Sequence, residues 1–199
     1  MSNFSNFEEQ IGVDFKNKDL LKQAFVHRSY LNENRDFPLG HNERLEFLGD
    51  AVLELVITDY LFVKYPEKPE GEMTSLRSSL VNSNTLFSVG QTLKINDFLL
   101  LSRGEAKDTG RARQYILANT MEAIIGAIYI DQGYESAKKF IYDYISPYLD
   151  KVIELGSWID SKSLFQEKAQ EHAGITPAYR TIKEVGPDHG KHFTVGVYL

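Results

Sequence analysis

Four acidic side chains share one face of a segment that is otherwise strongly apolar, and carboxylates grouped in this way could hold a metal ion. Read as a helix over residues 41–55, the segment places all four within an arc of about 80°. The four are Glu43, Glu46, Asp50 and Glu54. Like charges at this spacing repel one another, and divalent cations with oxygen ligands are the natural compensation. From periodicity alone, an ordinary amphipathic helix with an acidic outer face explains the pattern equally well.

A second apolar segment, residues 116–130, carries two oxygen ligands on one face. Asn119 and Glu122 are three positions apart, so they lie on the same side of a helix. A lone Glu in so apolar a helix is unfavourable unless it is paired or metal-bound. A buried Arg partner, or a role in capping a loop, is the alternative. Two such helices with facing carboxylates predict a magnesium site, which stabilises the attacking water and the leaving oxygen in phosphodiester hydrolysis.

The composition indicates a folded protein of a reducing compartment. The sequence of 199 residues contains 42% hydrophobic residues and no cysteine, which predicts a packed core, excludes disulfides and suits the cytoplasm. We see neither a signal sequence nor an apolar run long enough to span a membrane, so we expect no membrane partner. The net charge of −6 argues weakly against a nucleic-acid partner. Residues 157–199 hold five basic and five acidic residues, however, so the acidity belongs to the preceding part.

Helical periodicity extends over most of residues 3–149, whereas the end of the sequence has an α+β pattern. We predict an all-α domain over 1–150, a linker over 151–160 and a small α+β segment over 161–199. The predicted helices cover 19–26, 42–63, 72–82, 83–93, 112–131, 135–149 and 162–173. A polar loop is predicted over 32–40. Two predicted strands, 178–185 and 192–198, flank a turn rich in Gly, Pro and Asp.

The nine residues 42–50, Asn-Glu-Arg-Leu-Glu-Phe-Leu-Gly-Asp, resemble the signature of the ribonuclease III family. The resemblance covers nearly the whole chain. The run His27-Arg28-Ser29-Tyr30 is similar to the family's N-terminal segment, residues 69–73 to a loop with a further acidic residue, and residues 117–131 to the second catalytic helix. Residues 163–167 and 186–197 resemble the start of a double-stranded-RNA-binding domain.

This resemblance implies an all-α endonuclease domain with the ribonuclease III fold, followed by an α+β double-stranded-RNA-binding domain. It also implies a homodimer that depends on Mg²⁺, with Mn²⁺ as an alternative, and in which each subunit cuts one strand of double-stranded RNA. The products would carry 5′-phosphate and 3′-hydroxyl ends with a short 3′ overhang. Processing of rRNA and mRNA would be the biological role.

The resemblance also assigns roles to individual residues. The positions that match the family's magnesium ligands are Glu46, Asn119 and Glu122. Asp50 and Glu122 match its catalytic residues, and we expect them to position the metal and the water that attacks the scissile phosphorus. The remaining matches are two further acidic positions and an aromatic residue that reaches across the dimer interface, namely Glu43, Glu70 and Phe47.

The C-terminal segment matches only part of its family pattern. A double-stranded-RNA-binding domain has the order α-β-β-β-α, and this sequence reaches the second strand, so we expect an incomplete domain over 161–199. Gln166 and Glu167 would face ribose hydroxyls, and His189 and Lys191 would enter the minor groove. The alternative for each is a plain surface residue. In a chain that ended here, we expect about the last 40 residues to fold poorly and to leave an unpaired strand edge.

Position 119 departs from the family, which usually has Asp there. An amide oxygen can bind magnesium but brings no charge, so we expect weaker metal affinity rather than loss of activity. An inactive relative stays an alternative, as do two other classes: a non-cleaving double-stranded-RNA-binding protein on the same fold, and an acidic helical interaction protein. The acidic cluster favours the enzyme, because a protein that only binds RNA has no need of carboxylates that repel one another.

Overall fold

The computed structural model describes residues 4–156, 158, 161–187 and 190–199. It divides between Trp158 and Ile159 into two compact units. Within the described residues, the first unit is helical, and the second combines a helix with a two-stranded sheet. None of the helices in these ranges is long and apolar enough to span a lipid bilayer.

Two long helices form the centre of the first unit. They are α4 and α8, and each is packed against shorter helices: α5 and α9 lie on α4, while α2, α6 and α9 lie on α8. The helices of this unit are α1 (Phe4–Ile11), α2 (Lys18–Ala24), α3 (Arg28–Glu33), α4 (Glu43–Lys64), α5 (Glu70–Val81), α6 (Ser83–Thr92), α7 (Arg103–Lys107), α8 (Arg111–Gln132), α9 (Tyr134–Tyr144) and α10 (Tyr148–Glu154), with a 3₁₀ turn at Ile95–Asp97.

Glycines bring α4 and α8 into backbone contact. A Cβ atom added at Gly49 would lie 1.8 Å from the carbonyl oxygen of Glu122, and one added at Gly126 would lie 2.2 Å from that of Leu45. Only glycine therefore fits at either position. Leu45 of α4 contacts Gly126 of α8, and Gly49, four residues later on α4, contacts Glu122, four residues earlier on α8. The two helices are therefore antiparallel. This approach sets the faces of α4 and α8 that carry acidic side chains next to each other.

The buried Asn42 fixes the start of α4. Its side-chain amide donates a hydrogen bond to the carbonyl oxygen of Ala24 at 3.0 Å, and its backbone N–H donates to that of Val26 at 2.9 Å. Through these two hydrogen bonds, Asn42 attaches the start of α4 to the end of α2 and to the segment that leads into α3. The first turn of α4 is therefore held in a fixed position relative to α3.

The sequence predicted most helices, with differences of one or two residues at their ends. The single helix predicted over 135–149 was wrong, because the chain forms α9 and α10 with a break between Tyr144 and Tyr148. Pro147 lacks an N–H and disfavours helical geometry in the residue before it. The helix α10 then continues to Glu154, past residue 150. The predicted loop 32–40 also begins late, since α3 ends at Glu33.

The second unit contains α11 (Ser161–Ala173), β1 (Ala178–Val185) and β2 (His192–Tyr198), which confirms the predicted helix and both strands. The strands are antiparallel, with Ala178 opposite Tyr198 and an irregularity between Thr181 and Lys183. Several apolar side chains of this sheet are exposed to solvent: Ile182, Val185, Phe193, Val195 and Val197.

We predict that Gly49→Ala and Gly126→Ala each destabilise the protein by about 3 kcal/mol or more, since the added methyl group must push two helix backbones apart. Gly104→Ala is the matched control. It also lies in a helix, but its added carbon would meet its nearest neighbour, the Ser102 hydroxyl, at an ordinary 3.9 Å. Urea denaturation measures the three free energies of unfolding. If Gly49→Ala and Gly126→Ala lowered the free energy of unfolding no more than Gly104→Ala does, the close contact between α4 and α8 would be contradicted.

Candidate active site

The contact between α4 and α8 brings together the acidic residues that the sequence placed on two separate segments. Glu46 and Asp50 lie on α4, and Glu122 lies on α8. The backbone carbonyl of Glu122 is the group that packs against Gly49. The negative charges of Asp50 and Glu46 both act on the Glu122 carboxyl. We refer to Glu46, Asp50, Asn119 and Glu122 as the acidic cluster.

Glu122 is the most perturbed member of the acidic cluster. Burial among apolar residues raises the pKa of its carboxyl, and the negative charges of Asp50 and Glu46 raise it further, to about 8. At neutral pH and without a cation, Glu122 therefore holds a proton. A perturbed carboxyl of this kind is typical of functional sites.

Glu46 and Asn119 interact directly. Burial is the main cause of the raised pKa of Glu46, and the charges of Glu43 and Asp50 add to it. A hydrogen bond from the Asn119 side chain has the opposite effect, because it stabilises the charged carboxylate. The predicted ligand Asn119 thus already contacts another predicted ligand.

The acidic cluster lacks basic partners within the part of the chain that the structure describes. No Lys, Arg or His nitrogen there lies within 4 Å of the carboxylates of Glu46, Asp50 or Glu122. A buried Arg partner for Glu122 is therefore not found among these residues. Nearby Glu43 differs, because Arg28 lies 3.5 Å and His41 3.7 Å from its two oxygens.

The donors of the acidic cluster fit a hard divalent cation. All are carboxylate or amide oxygens, which Mg²⁺ and Mn²⁺ prefer, and a cation would compensate the charges that raise the pKa of Glu122. Among the described residues, no three His, Cys, Asp or Glu side chains converge closely enough to hold a metal by themselves. The oxygen of Asn119 and water molecules would therefore complete the ligand set.

Glu54, the last of the four acidic residues on this face of α4, forms an ion pair instead. Its carboxylate lies 2.9 Å from Nε of Arg77 on α5, and Nη1 of Arg77 donates to the Thr58 hydroxyl at 3.1 Å. Glu54 therefore joins α4 to α5. The periodicity of α4 could not reveal this pair, because the basic partner comes from another helix.

The structure does not bring Glu70 to the acidic cluster. Glu70 begins α5, accepts a hydrogen bond from the Thr74 hydroxyl at 2.9 Å, and lines a small cavity beside Thr58 and Phe62. Thr58 follows Asp50 by eight residues on α4, or about 12 Å along the helix axis. Within one chain, Glu70 thus lies well away from Asp50.

Phe47 lies next to Glu46 in the sequence but projects into solvent. Its side chain is 82% exposed, the most of any large apolar residue described. Together with Leu20, Leu48 and Ile130 it lines an open groove of about 610 Å³ on the surface of the first unit. An exposed ring beside the apolar lining of an open groove is typical of an interaction surface.

Comparisons with known proteins identify the family. The family model described as Ribonuclease-III-like matches residues 17–149. The chain belongs to the ribonuclease III family. Ribonuclease 3 of Borreliella burgdorferi is 43% identical over 198 residues, which cover 100% of this chain and 80% of that protein. Ribonuclease 3 of Enterococcus faecalis is 42% identical over 195 residues, or 98% of this chain and 84% of that protein.

Solved structures agree with this assignment. The nuclease domain of ribonuclease III from Campylobacter jejuni superimposes with a TM-score of 0.67 and 39% identity, over 73% of this chain and 97% of that one. Dicer from Pichia stipitis gives a TM-score of 0.53 and 25% identity, over 92% and 81%. The fold is therefore that of a ribonuclease III nuclease domain with a small C-terminal two-stranded sheet, and the chain is an endoribonuclease of double-stranded RNA.

Within the second unit, Gln166 and Glu167 are exposed on α11. Lys191 forms an ion pair with Glu184 of β1 across the turn. His189 lies outside the described residues. None of these side chains belongs to the first unit, which holds the acidic cluster.

We predict that Glu122→Gln changes the pH dependence of stability in EDTA. Because the pKa of Glu122 is raised from 4.5 to about 8 on folding, its stabilising contribution is full below pH 4.5 and is lost as the pH rises through 8. Glu122→Gln removes this loss, so it should exceed the wild type in free energy of unfolding at pH 9 by a few kcal/mol, as an order of magnitude. Denaturation with urea at pH 5, 7 and 9 measures it.

The control is Glu135→Gln, which removes an exposed carboxylate from the first turn of α9. It should leave the pH profile unchanged. A profile for Glu122→Gln that parallels the wild type would show that Glu122 is not buried as described.

Proposed function

We propose that the chain hydrolyses phosphodiester bonds in double-stranded RNA at the acidic cluster, with Mg²⁺ or Mn²⁺ held by Glu46, Asn119 and Glu122. The observation that carries the proposal is that the charges of Glu46 and Asp50 on α4 act on the Glu122 carboxyl of α8 and, with burial, raise its pKa to about 8, while no Lys, Arg or His nitrogen is described within 4 Å of the three carboxylates. Such a cluster is costly for a protein that only binds RNA, and it is what metal-assisted phosphodiester hydrolysis requires.

When bound, a divalent cation supplies positive charge that neutralises the scissile phosphate and favours deprotonation of the attacking water. Glu122 would help to hold the cation, and a positive partner beside its carboxylate would lower the raised pKa and favour the charged form. Asp50 is exposed, so its carboxylate can orient a water from solvent towards phosphorus. The water oxygen bonds to phosphorus and gives up a proton, and the bond to the 3′ oxygen breaks as that oxygen takes up a proton, which leaves 5′-phosphate and 3′-hydroxyl ends.

We further infer that the enzyme is a homodimer and that Phe47 is part of its interface. The ring is 82% exposed and stands beside a groove lined by Ile130 and Leu48, and covering it would remove apolar surface from water. In the similar nuclease domain from Campylobacter jejuni, a defined region is involved in dimer formation. Glu43 and Glu70 are assigned supporting acidic roles, with Glu70 remote from Asp50 within one subunit.

For the domains, we propose a nuclease domain over 1–150, a linker over 151–160 whose first residues are helical, and part of a double-stranded-RNA-binding domain over 161–199. The order α11-β1-β2 and the exposure of Gln166 and Glu167 support this. The exposed apolar side chains on both strands are those that further elements of such a domain would cover. Lys191 must leave Glu184 to reach a phosphate. Processing of rRNA and mRNA, and a cytoplasmic location, stay predictions.

The decisive experiment incubates the full chain with a long RNA duplex, with Mg²⁺ or with EDTA. We expect cleavage only with Mg²⁺, to products with 5′-phosphates that a phosphatase removes. Glu122→Gln should lower the rate by about a thousandfold or more, whereas Glu135→Gln should cleave like the wild type. Magnesium-independent binding with no cleavage would instead identify a non-cleaving RNA-binding protein.

A second prediction concerns the neutral ligand. Asn119→Asp adds a charge to the acidic cluster, so the Mg²⁺ concentration at half-maximal rate should fall by about tenfold, with the saturated rate changed only a few-fold. Gln91→Glu, which adds the same charge to an exposed site on α6, is the control and should leave the requirement unchanged. An unchanged Mg²⁺ requirement in Asn119→Asp would refute a ligand role for this position.

A further inference from the structure

Arg28 is a basic side chain at the edge of the acidic cluster that the mechanism above does not use. It begins α3, its Nη1 lies 3.5 Å from one oxygen of Glu43, and its side chain is 71% exposed. No other Lys or Arg of the described residues lies within 4 Å of Glu43 or of the carboxylates of the acidic cluster. Among the described residues, Arg28 is thus the one Lys or Arg side chain in contact with Glu43, one turn before Glu46 on α4.

The backbone around Arg28 is fixed against α4. Asn42, the residue before Glu43, is hydrogen-bonded to Ala24 and Val26, and the N–H of His27 donates to the carbonyl oxygen of Leu100 at 3.1 Å. The His27 ring also caps α3 by accepting from the N–H of Ser29 at 3.3 Å. Arg28 therefore starts from a rigid position, and only its long side chain is free to move.

We propose that Arg28 binds a backbone phosphate of the RNA strand that is cut, next to the scissile phosphate, and that it leaves Glu43 to do so. This rests on the proposed function. An ion pair exposed to this degree contributes little to stability, so its exchange costs little. A guanidinium group binds a phosphate through two parallel hydrogen bonds, which a single contact with Glu43 does not provide.

The position of Arg28 suits such a contact. Its partner Glu43 lies two helical turns before Asp50 on α4, about 10 Å along the axis. An RNA strand that places one phosphate at the acidic cluster would otherwise present its neighbouring phosphate to Glu43, a second negative charge. The positive charge of Arg28 offsets this repulsion in the complex by pairing with the phosphate.

The test measures binding of a labelled RNA duplex of about 25 base pairs, longer than the roughly 16 that a double-stranded-RNA-binding domain contacts, to the full chain at several salt concentrations. Ca²⁺ replaces Mg²⁺, and the RNA is checked for cleavage afterwards. Arg28→Gln should weaken binding by about tenfold and reduce the slope of log affinity against log salt by about one. Arg28→Lys keeps the charge, so it should keep the slope and lose part of the affinity.

Lys139→Gln is the matched control, because Lys139 is 76% exposed and is likewise ion-paired, to Asp143 at 2.5 Å. It should change neither affinity nor slope. If Arg28 only stabilises the fold through Glu43, then Arg28→Gln lowers the melting temperature and leaves the salt slope unchanged, which overturns the proposal. An equal effect of Lys139→Gln also overturns it.

The outcomes separate this proposal from the proposed function. A wild type that cleaves with Mg²⁺, combined with an unchanged slope in Arg28→Gln, overturns the role of Arg28 alone. A wild type that binds RNA but does not cleave, combined with a reduced slope in Arg28→Gln, overturns the nuclease mechanism and supports the phosphate contact. A wild type with no affinity for the duplex overturns both.

Discussion

The backbone contact between α4 and α8 is the constraint on which the site depends. Gly49 and Gly126 allow the two helices to approach until the carbonyl oxygens of Glu122 and Leu45 occupy the space of missing side chains. A wider separation would place Glu46 and Asp50 too far from Glu122 to act as one group. The same approach buries much of Glu122. The close approach of α4 and α8 at these glycines is therefore also a reason why the pKa of Glu122 is raised.

Electrostatic repulsion among the acidic side chains of α4 and Glu122 of α8 is offset in different ways. At the two ends of the acidic face of α4, Glu43 pairs with Arg28 of α3 and Glu54 pairs with Arg77 of α5. In the middle, Glu46 accepts a hydrogen bond from Asn119, and Glu122 is protonated at neutral pH. The protein thus neutralises the outer acids by ion pairing and the inner ones by protonation and hydrogen bonding, which leaves the inner oxygens available to a cation.

The sequence predicted the parts that follow from local periodicity, and it missed those that depend on distant partners. The apolar spacing located α4 and α8 to within one or two residues, and the strands at 178–185 and 192–198 were predicted correctly. The break at Pro147 was missed because the apolar periodicity continues across it. The pairing of Glu54 with Arg77 joins two helices, and no spacing rule relates the residues.

The hydrogen bond between Asn119 and Glu46 has a consequence for the resting protein. An aspartate at this position would face Glu46 as a second anion whenever no cation was present, and the repulsion between the two carboxylates would weaken the contact between α4 and α8. The amide instead links them. Without a cation, the Asn119 amide therefore adds a favourable contact between α4 and α8 where an aspartate would add a repulsive one.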